Sequence, residues 1–100
     1  MNLPKKIKIK KGRPIKKRTI NSTPRVSKYS PRGIRGRPDE VVLRIDQFES
    51  IRLADHMGMR HLEASRYMNI SRQTFERILK QARRAVACGL VSGKIIRIET

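Results

Sequence analysis

Cysteine occurs once in these 100 residues, at Cys88, and tryptophan does not occur at all. A lone cysteine excludes a disulfide framework. It also leaves zinc without ligands, because there is no CxxC or HxxxH pair and the two histidines, His56 and His61, stand apart across Gly58. Cys88 therefore reads as a small core side chain and His56 as a residue at a helix end, and no metal site is expected. No apolar run approaches the ~20 residues of a membrane span, and no apolar stretch resembles the heart of a secretory signal. Pro4, Pro14, Pro24 and Pro31 would break the amphipathic helix of a transit peptide. A nucleophile elbow, a phosphate loop and paired carboxylates in a cleft are all missing, so neither an enzyme nor a cofactor is expected. Acid is the sharpest absence, since residues 1–38 contain no Asp or Glu.

The bases are plentiful in that same stretch. Residues 1–38 hold 8 Lys and 6 Arg, a charge of +14 out of the chain's +17. Apolar residues divide the other way, with 9 in the first 38 positions and 28 in the remaining 62. The first segment buries too little to offset its ordering entropy, whereas the second can assemble a small core. The sequence thus predicts two parts: a basic, largely disordered arm at 1–38 and a minidomain at 39–100. In the arm, Val26, Tyr29 and Ile34 are the side chains able to tether its second half. Positive charge gathered at one end implies a polyanion as partner, nucleic acid before a membrane surface.

Within the minidomain, Val41, Leu43 and Ile45 alternate with polar or outward positions and predict a short strand. Asp46 and Glu49 have the spacing of a capping box, opening a helix that carries Phe48, Ile51, Ala54 and Met57 inward and ends at Gly58. A second helix fits His61 to Met68, with Leu62, Ala64, Ser65 and Met68 inward. Asn69-Ile70 forms a turn and Ser71 caps a third helix, whose stripe is Phe75, Ile78, Leu79, Ala82, Ala85 and Val86 and whose stop is placed at Gly89. Ile95 to Ile98 follows as a strand, free to pair with Val41–Ile45 or with another subunit. The fold class is mainly α: a three-helix helix-turn-helix domain with short flanking strands.

The stretch from His61 to Lys80 carries the functional expectation. A helix-turn-helix needs small residues where its two helices cross, supplied by Ala64-Ser65. It needs a turn residue at ease with positive φ, supplied by Asn69, and apolar locks, supplied by Ile70, Phe75 and Ile78. The second of these helices then offers Ser71, Arg72, Gln73, Thr74, Arg77 and Lys80 to the major groove. Arg matches guanine O6/N7, Gln matches adenine N6/N7, and Ser and Thr match phosphates or base edges. Glu76 either accepts from a cytosine or pairs with Lys80 at i,i+4. In the arm, Gly-Arg-Pro cores at 11–14 and 35–38 have the chemistry of a minor-groove hook, with Arg13, Lys16, Lys17 and Arg18 as phosphate or groove contacts. Tyr67, beside Arg66, is read as partly buried.

Asp46–Asp55 (DQFESIRLAD), Ala64–Leu79 (ASRYMNISRQTFERIL), Ala82-Arg83-Arg84 and Gly93–Glu99 (GKIIRIE) resemble a family of small prokaryotic predicted DNA-binding proteins. The helix-turn-helix of that family is similar to the sigma-factor domain that reads the −35 promoter element. The resemblance runs over roughly residues 18–100, Pro31 and Gly33 included, and leaves the first 17 as an extension of this chain's own. Ser65 and Asn69 stand where those relatives carry Ala and Gly, and the cysteine near the start of many of them is missing. The resemblance implies the fold, double-stranded DNA as partner and a cytoplasmic location. The expectation is a sequence-specific transcriptional regulator, with a second copy of the chain and RNA polymerase as further partners. The alternatives are an RNA- or ribosome-associated basic protein, which would need aromatic stacking platforms, and a sigma-like protein-interaction module.

Overall fold

The structure, a computed structural model, describes residues 18–99. Its strands are β1 (Lys28–Tyr29), β2 (Glu40–Arg44) and β3 (Ile95–Glu99), and its helices α1 (Ile45–Ile51), α2 (His61–Tyr67) and α3 (Arg72–Ser92). About half of the described residues are helical. β3 lies in the middle of the sheet, antiparallel to β1 and parallel to β2. A parallel pair needs a long crossover, and here all three helices lie between β2 and β3. The register sets Leu43 opposite Ile98 and Val41 opposite Ile96 on the face turned to the helices, and Val42 opposite Arg97 on the other face. Because both edges of β3 are paired, the Ile95–Ile98 edge expected as a surface for a second subunit is closed.

Two apolar clusters hold the layers together. Leu43 and Ile98 of the sheet meet Ala82 of α3, flanked by Phe48, Ala85 and Val86. Leu53, Ala64, Met68, Ile70, Phe75, Ile78 and Leu79 form the second cluster where the helices converge, and Ile51 touches both. The α3 stripe read from helical periodicity is thus the side that packs.

Four local expectations are corrected. α1 begins at Ile45, one residue before the expected cap, because the Gln47 side chain accepts the Arg44 N–H at 2.9 Å and closes the turn from there. Asp46 sits inside the first turn, where a negative charge suits the helix dipole. The continuation Arg52–His56 is a wider π turn, with the Met57 N–H donating to the Arg52 carbonyl at 2.8 Å, and the Met57 side chain, expected inward, is exposed. On α2, Leu62 and Tyr67 are exposed, and only Ala64, Ser65 and the following Met68 face inward. α3 runs past Gly89 and stops at Gly93, which takes φ 64° while the Lys94 N–H donates to the Gly89 carbonyl at 2.9 Å. Gly89 has another reason to be glycine. A Cβ there would stand 2.5 Å from Ile96 Cγ1 and 3.4 Å from Val41 Cγ2, so its absence lets α3 lie against the sheet.

Residues 18–38, expected within the disordered arm, are laid on the domain. The Thr19 N–H donates to the Met68 carbonyl at 3.0 Å, the Ile98 N–H donates to the Ser27 carbonyl at 2.8 Å, and Lys28–Tyr29 pair with Arg97–Ile96. Ile20 packs against the helical cluster, and Ile34 Cδ1 lies close over Gly93. The segment is low in apolar content, so hydrogen bonding and sheet pairing supply the docking that burial alone does not.

Candidate nucleic-acid interface

Helices α2 and α3 meet through residues 68–71. Ala64 and Ser65 are buried at the crossing, and the Ser65 hydroxyl is satisfied by donating to the Leu62 carbonyl at 2.7 Å. Asn69 takes φ 57°. Its N–H donates to Arg66 and the Ile70 N–H to Ser65, at 3.1 and 3.0 Å. That pair of bonds is a Schellman closure, and Ile70 inserts into the helical cluster as its apolar partner. Ser71 then caps α3: its Oγ accepts the Thr74 N–H at 3.1 Å and donates to Thr74 Oγ1 at 2.9 Å.

Once α3 is anchored through Phe75, Ile78, Leu79 and Ala82, its opposite side is fixed. Positions 73, 77, 80 and 84 follow one another at steps of four, three and four, which keeps them on one stripe of an α-helix. Gln73, Arg77, Lys80 and Arg84 are all exposed there, and none has a side-chain hydrogen bond or ion pair among the described residues. Arg84 is the member that the sequence reading missed. Its signal was the same periodicity, one turn beyond Lys80.

The other charged groups on α3 have protein partners. Glu76 Oε2 lies 3.0 Å from His61 Nδ1 and 3.9 Å from Arg72 Nε, so it holds α2 to α3 instead of pairing with Lys80. The His61 ring also tilts against Phe75, with centroids 5.6 Å apart. Arg83 grips Asp55 with both arms of its guanidinium, at 3.1 and 2.6 Å. That hydrogen bonding holds the Asp55 carboxyl below, and the Arg83 guanidinium above, its ordinary range. Arg72 and Thr74 are therefore partly committed within the protein, whereas Gln73, Arg77 and Lys80 have no such partner among the described residues.

From the arm, Arg18 pairs with Asp46 (3.3 Å) and is only partly exposed. Arg13, Lys16 and Lys17 lie outside the described residues, as does the Gly-Arg-Pro core at 11–14. In the core at 35–38, Arg35 and Arg37 are exposed, and the adjoining Glu40 is neutralised by Arg97 at 2.8 Å. Among the described residues no three His, Cys, Asp or Glu side chains converge to hold a metal, and no helix is long and apolar enough to cross a membrane.

Residues 7–100 match the family described as protein of unknown function DUF134, and the chain belongs to that family. The match starts eleven positions ahead of the expected residue 18, so most of the basic leader lies within the shared region. Similar proteins, each called a UPF0251 protein, occur in Desulfosudis oleivorans (50% identical over 88 residues) and Caldicellulosiruptor bescii (47% over 87 residues). The alignments cover 87% of this chain but 64% and 61% of those two proteins. A relative from Vibrio vulnificus is 42% identical over 87 residues, 86% of this chain and 87% of its own. No solved structure matches the chain.

Proposed function

We propose that this member of the DUF134 family binds double-stranded DNA sequence-specifically, with α2, the Asn69 turn and α3 acting as a helix-turn-helix similar to the −35-reading domain of sigma factors. One observation carries the reading: Gln73, Arg77, Lys80 and Arg84 form an exposed stripe without side-chain partners among the described residues, opposite the packed side of α3. In the major groove, Gln73 near the capped end reads adenine, Arg77 reads guanine and Lys80 and Arg84 meet phosphate. Ser71, Arg72 and Thr74 keep the supporting positions at the helix start, and the basic leader adds charge that is indifferent to sequence. The biological role is regulation of transcription in the cytoplasm. Phe48 is packed and Phe75 buried, which leaves Tyr29 and Tyr67 as the exposed aromatics and favours duplex DNA over a single-stranded RNA needing a stacking platform. One recognition helix reads few base pairs, so a second copy on a neighbouring half-site belongs to the proposal. With β3 enclosed, the exposed Leu90 and Val91 near the end of α3 are the surface for it.

The test selects a preferred duplex, then titrates wild type and Gln73→Ala on it and on random DNA at one fixed salt concentration. Removing a bidentate hydrogen-bond pair to adenine costs about 1–3 kcal/mol on the preferred site and leaves random-sequence affinity unchanged. Arg77→Ala lowers both affinities, the preferred one more. An unaltered discrimination ratio in both variants, or tighter binding of single-stranded RNA than of duplex, defeats the reading.

A further inference from the structure

We propose that residues 18–23 are a latch that fixes where the basic leader leaves the domain, so that the leader meets the phosphates on one chosen flank of the duplex held by α3. The inference rests on the duplex-binding reading of α3 and adds a directed second contact.

The latch is built around a carboxylate. Glu49 has 0% of its surface exposed, a costly place for a charge unless every acceptor position is met. Arg52 supplies two donors, Nε to Oε1 at 2.8 Å and Nη2 to Oε2 at 2.9 Å. The other two come from far upstream: the Asn21 N–H donates to Oε2 at 3.0 Å and the Ser22 hydroxyl to Oε1 at 3.3 Å. The same segment closes the end of α2, with the Thr19 N–H on the Met68 carbonyl at 3.0 Å and the Asn21 side-chain amide on the Tyr67 carbonyl at 3.3 Å. Ile20 sits between these bonds with its side chain on the helical cluster.

The point of exit follows from a chain of contacts. Arg18 pairs with one oxygen of Asp46 at 3.3 Å and Arg44 with the other at 3.2 Å. Arg44 Nη2 also donates to Gln81 Oε1 at 3.4 Å. Gln81 follows Lys80 directly and Arg77 by one turn, so residue 18 is two side chains away from the flank of the exposed stripe. Everything ahead of it is base-rich: residues 1–17 hold seven Lys and one Arg without an acid. A chain spans at most about 3.6 Å per residue, so seventeen residues reach about 60 Å, more than the ~34 Å of one turn of duplex. A leader anchored on one side of α3 is long enough to cover the adjoining turn there.

The experiment uses the full chain carrying Cys88→Ala and Ile15→Cys, with an iron chelate on the new thiol that cuts DNA within its reach. Position 15 lies three residues from Arg18, within about 10 Å of it. Bound to its preferred duplex, each copy of the protein should cut on one side only of its own α3 half-site, so that two symmetric copies cut either both outside or both between their half-sites. Glu49→Gln removes one acceptor oxygen and turns an amide toward the donors. It should abolish the one-sided bias and leave the α3 footprint in place. Ser22→Ala, which removes one hydroxyl donor and leaves the Glu49–Arg52 pair and the Asn21 N–H in place, should weaken the bias in the same direction and carries the test if Glu49→Gln does not fold. Cuts on both sides of a single α3 half-site in the unmutated latch, or an unchanged pattern in a folded latch variant, overturn the inference with duplex binding intact. A protein that leaves no footprint on any duplex overturns the DNA reading first, and the latch with it.

Discussion

Glu49 has the right spacing from Asp46 to be read as half of a capping box, and it does something else. Its partners are Arg52 on the next turn and a backbone N–H and a hydroxyl from residues 21 and 22. No local pattern announces an interaction that spans 28 positions. Burial alone would raise this carboxyl above its ordinary 4.5, but the Arg52 guanidinium, the Asn21 N–H and the Ser22 hydroxyl together hold it lower. A carboxyl whose pKa is lowered by folding stabilises the fold fully above its unfolded value and ceases to do so as pH falls through the lowered one. The domain should therefore lose stability on acidification below about pH 4.5 in a step that Glu49→Gln lacks. Melting curves between neutral and strongly acidic pH check this, and parallel acid limbs in the two proteins would contradict it. Gly89 makes a second point at this scale. Alanine there gains helix propensity of roughly 1 kcal/mol but drives a methyl into Ile96 Cγ1, and overpacking costs about 1–3 kcal/mol. Gly89→Ala should lower the melting temperature. The same change at an unpacked helical glycine would raise it.

At the level of elements, the hinge between α2 and α3 was legible because its chemistry is local. Asn69 is the one non-glycine residue with positive φ among those described, and Ser71 caps through its own side chain three residues on. The end of α3 was not legible for the opposite reason. Gly89 and Gly93 are both plausible stops, and what distinguishes them is β2 and β3 passing beneath the first. The start of α1 was hidden in another way, since its box is made by Gln47 with an arginine in front, where the expected signal is a hydroxyl or a carboxylate. Replacing Asn69 by alanine places a Cβ in the left-handed region, a penalty of about 1–2 kcal/mol. Asn69→Ala should therefore lower the melting temperature by several degrees, given ~4–8 °C per kcal/mol for a domain this small. Asn69→Gly should equal or exceed the wild type. Thermal denaturation of the three proteins decides it, and a glycine variant weaker than alanine would mean that the asparagine side chain, not the turn, is what matters.

Over the whole molecule, the composition boundary at residue 38 and the packing boundary fall in different places. Charge and hydropathy change at 38, yet the domain already includes Thr19 against Met68, the latch on Glu49 and β1 along β3. A base-rich, apolar-poor segment can be structural when its backbone completes a sheet edge and a helix end, and composition does not register backbone hydrogen bonds. Two truncations separate these roles. Removing residues 1–17 takes away seven Lys and one Arg and leaves residues 18–99 with all the bonds described above. It should leave the melting temperature unchanged and make the dependence of duplex affinity on salt shallower, by about 0.9 for each phosphate that the leader neutralises. Removing residues 1–38 also strips β1 and two of the four donors from a buried carboxylate, and each unmet buried acceptor position costs about 1–3 kcal/mol. That protein should melt well below the first and show a second drop in affinity that persists at every salt concentration. The comparison is made by calorimetry and by titration at several salt concentrations on one duplex. Equal melting temperatures for the two truncations would show that residues 18–38 are dispensable to the fold, and a salt slope untouched by removing residues 1–17 would show that the leader meets no phosphate.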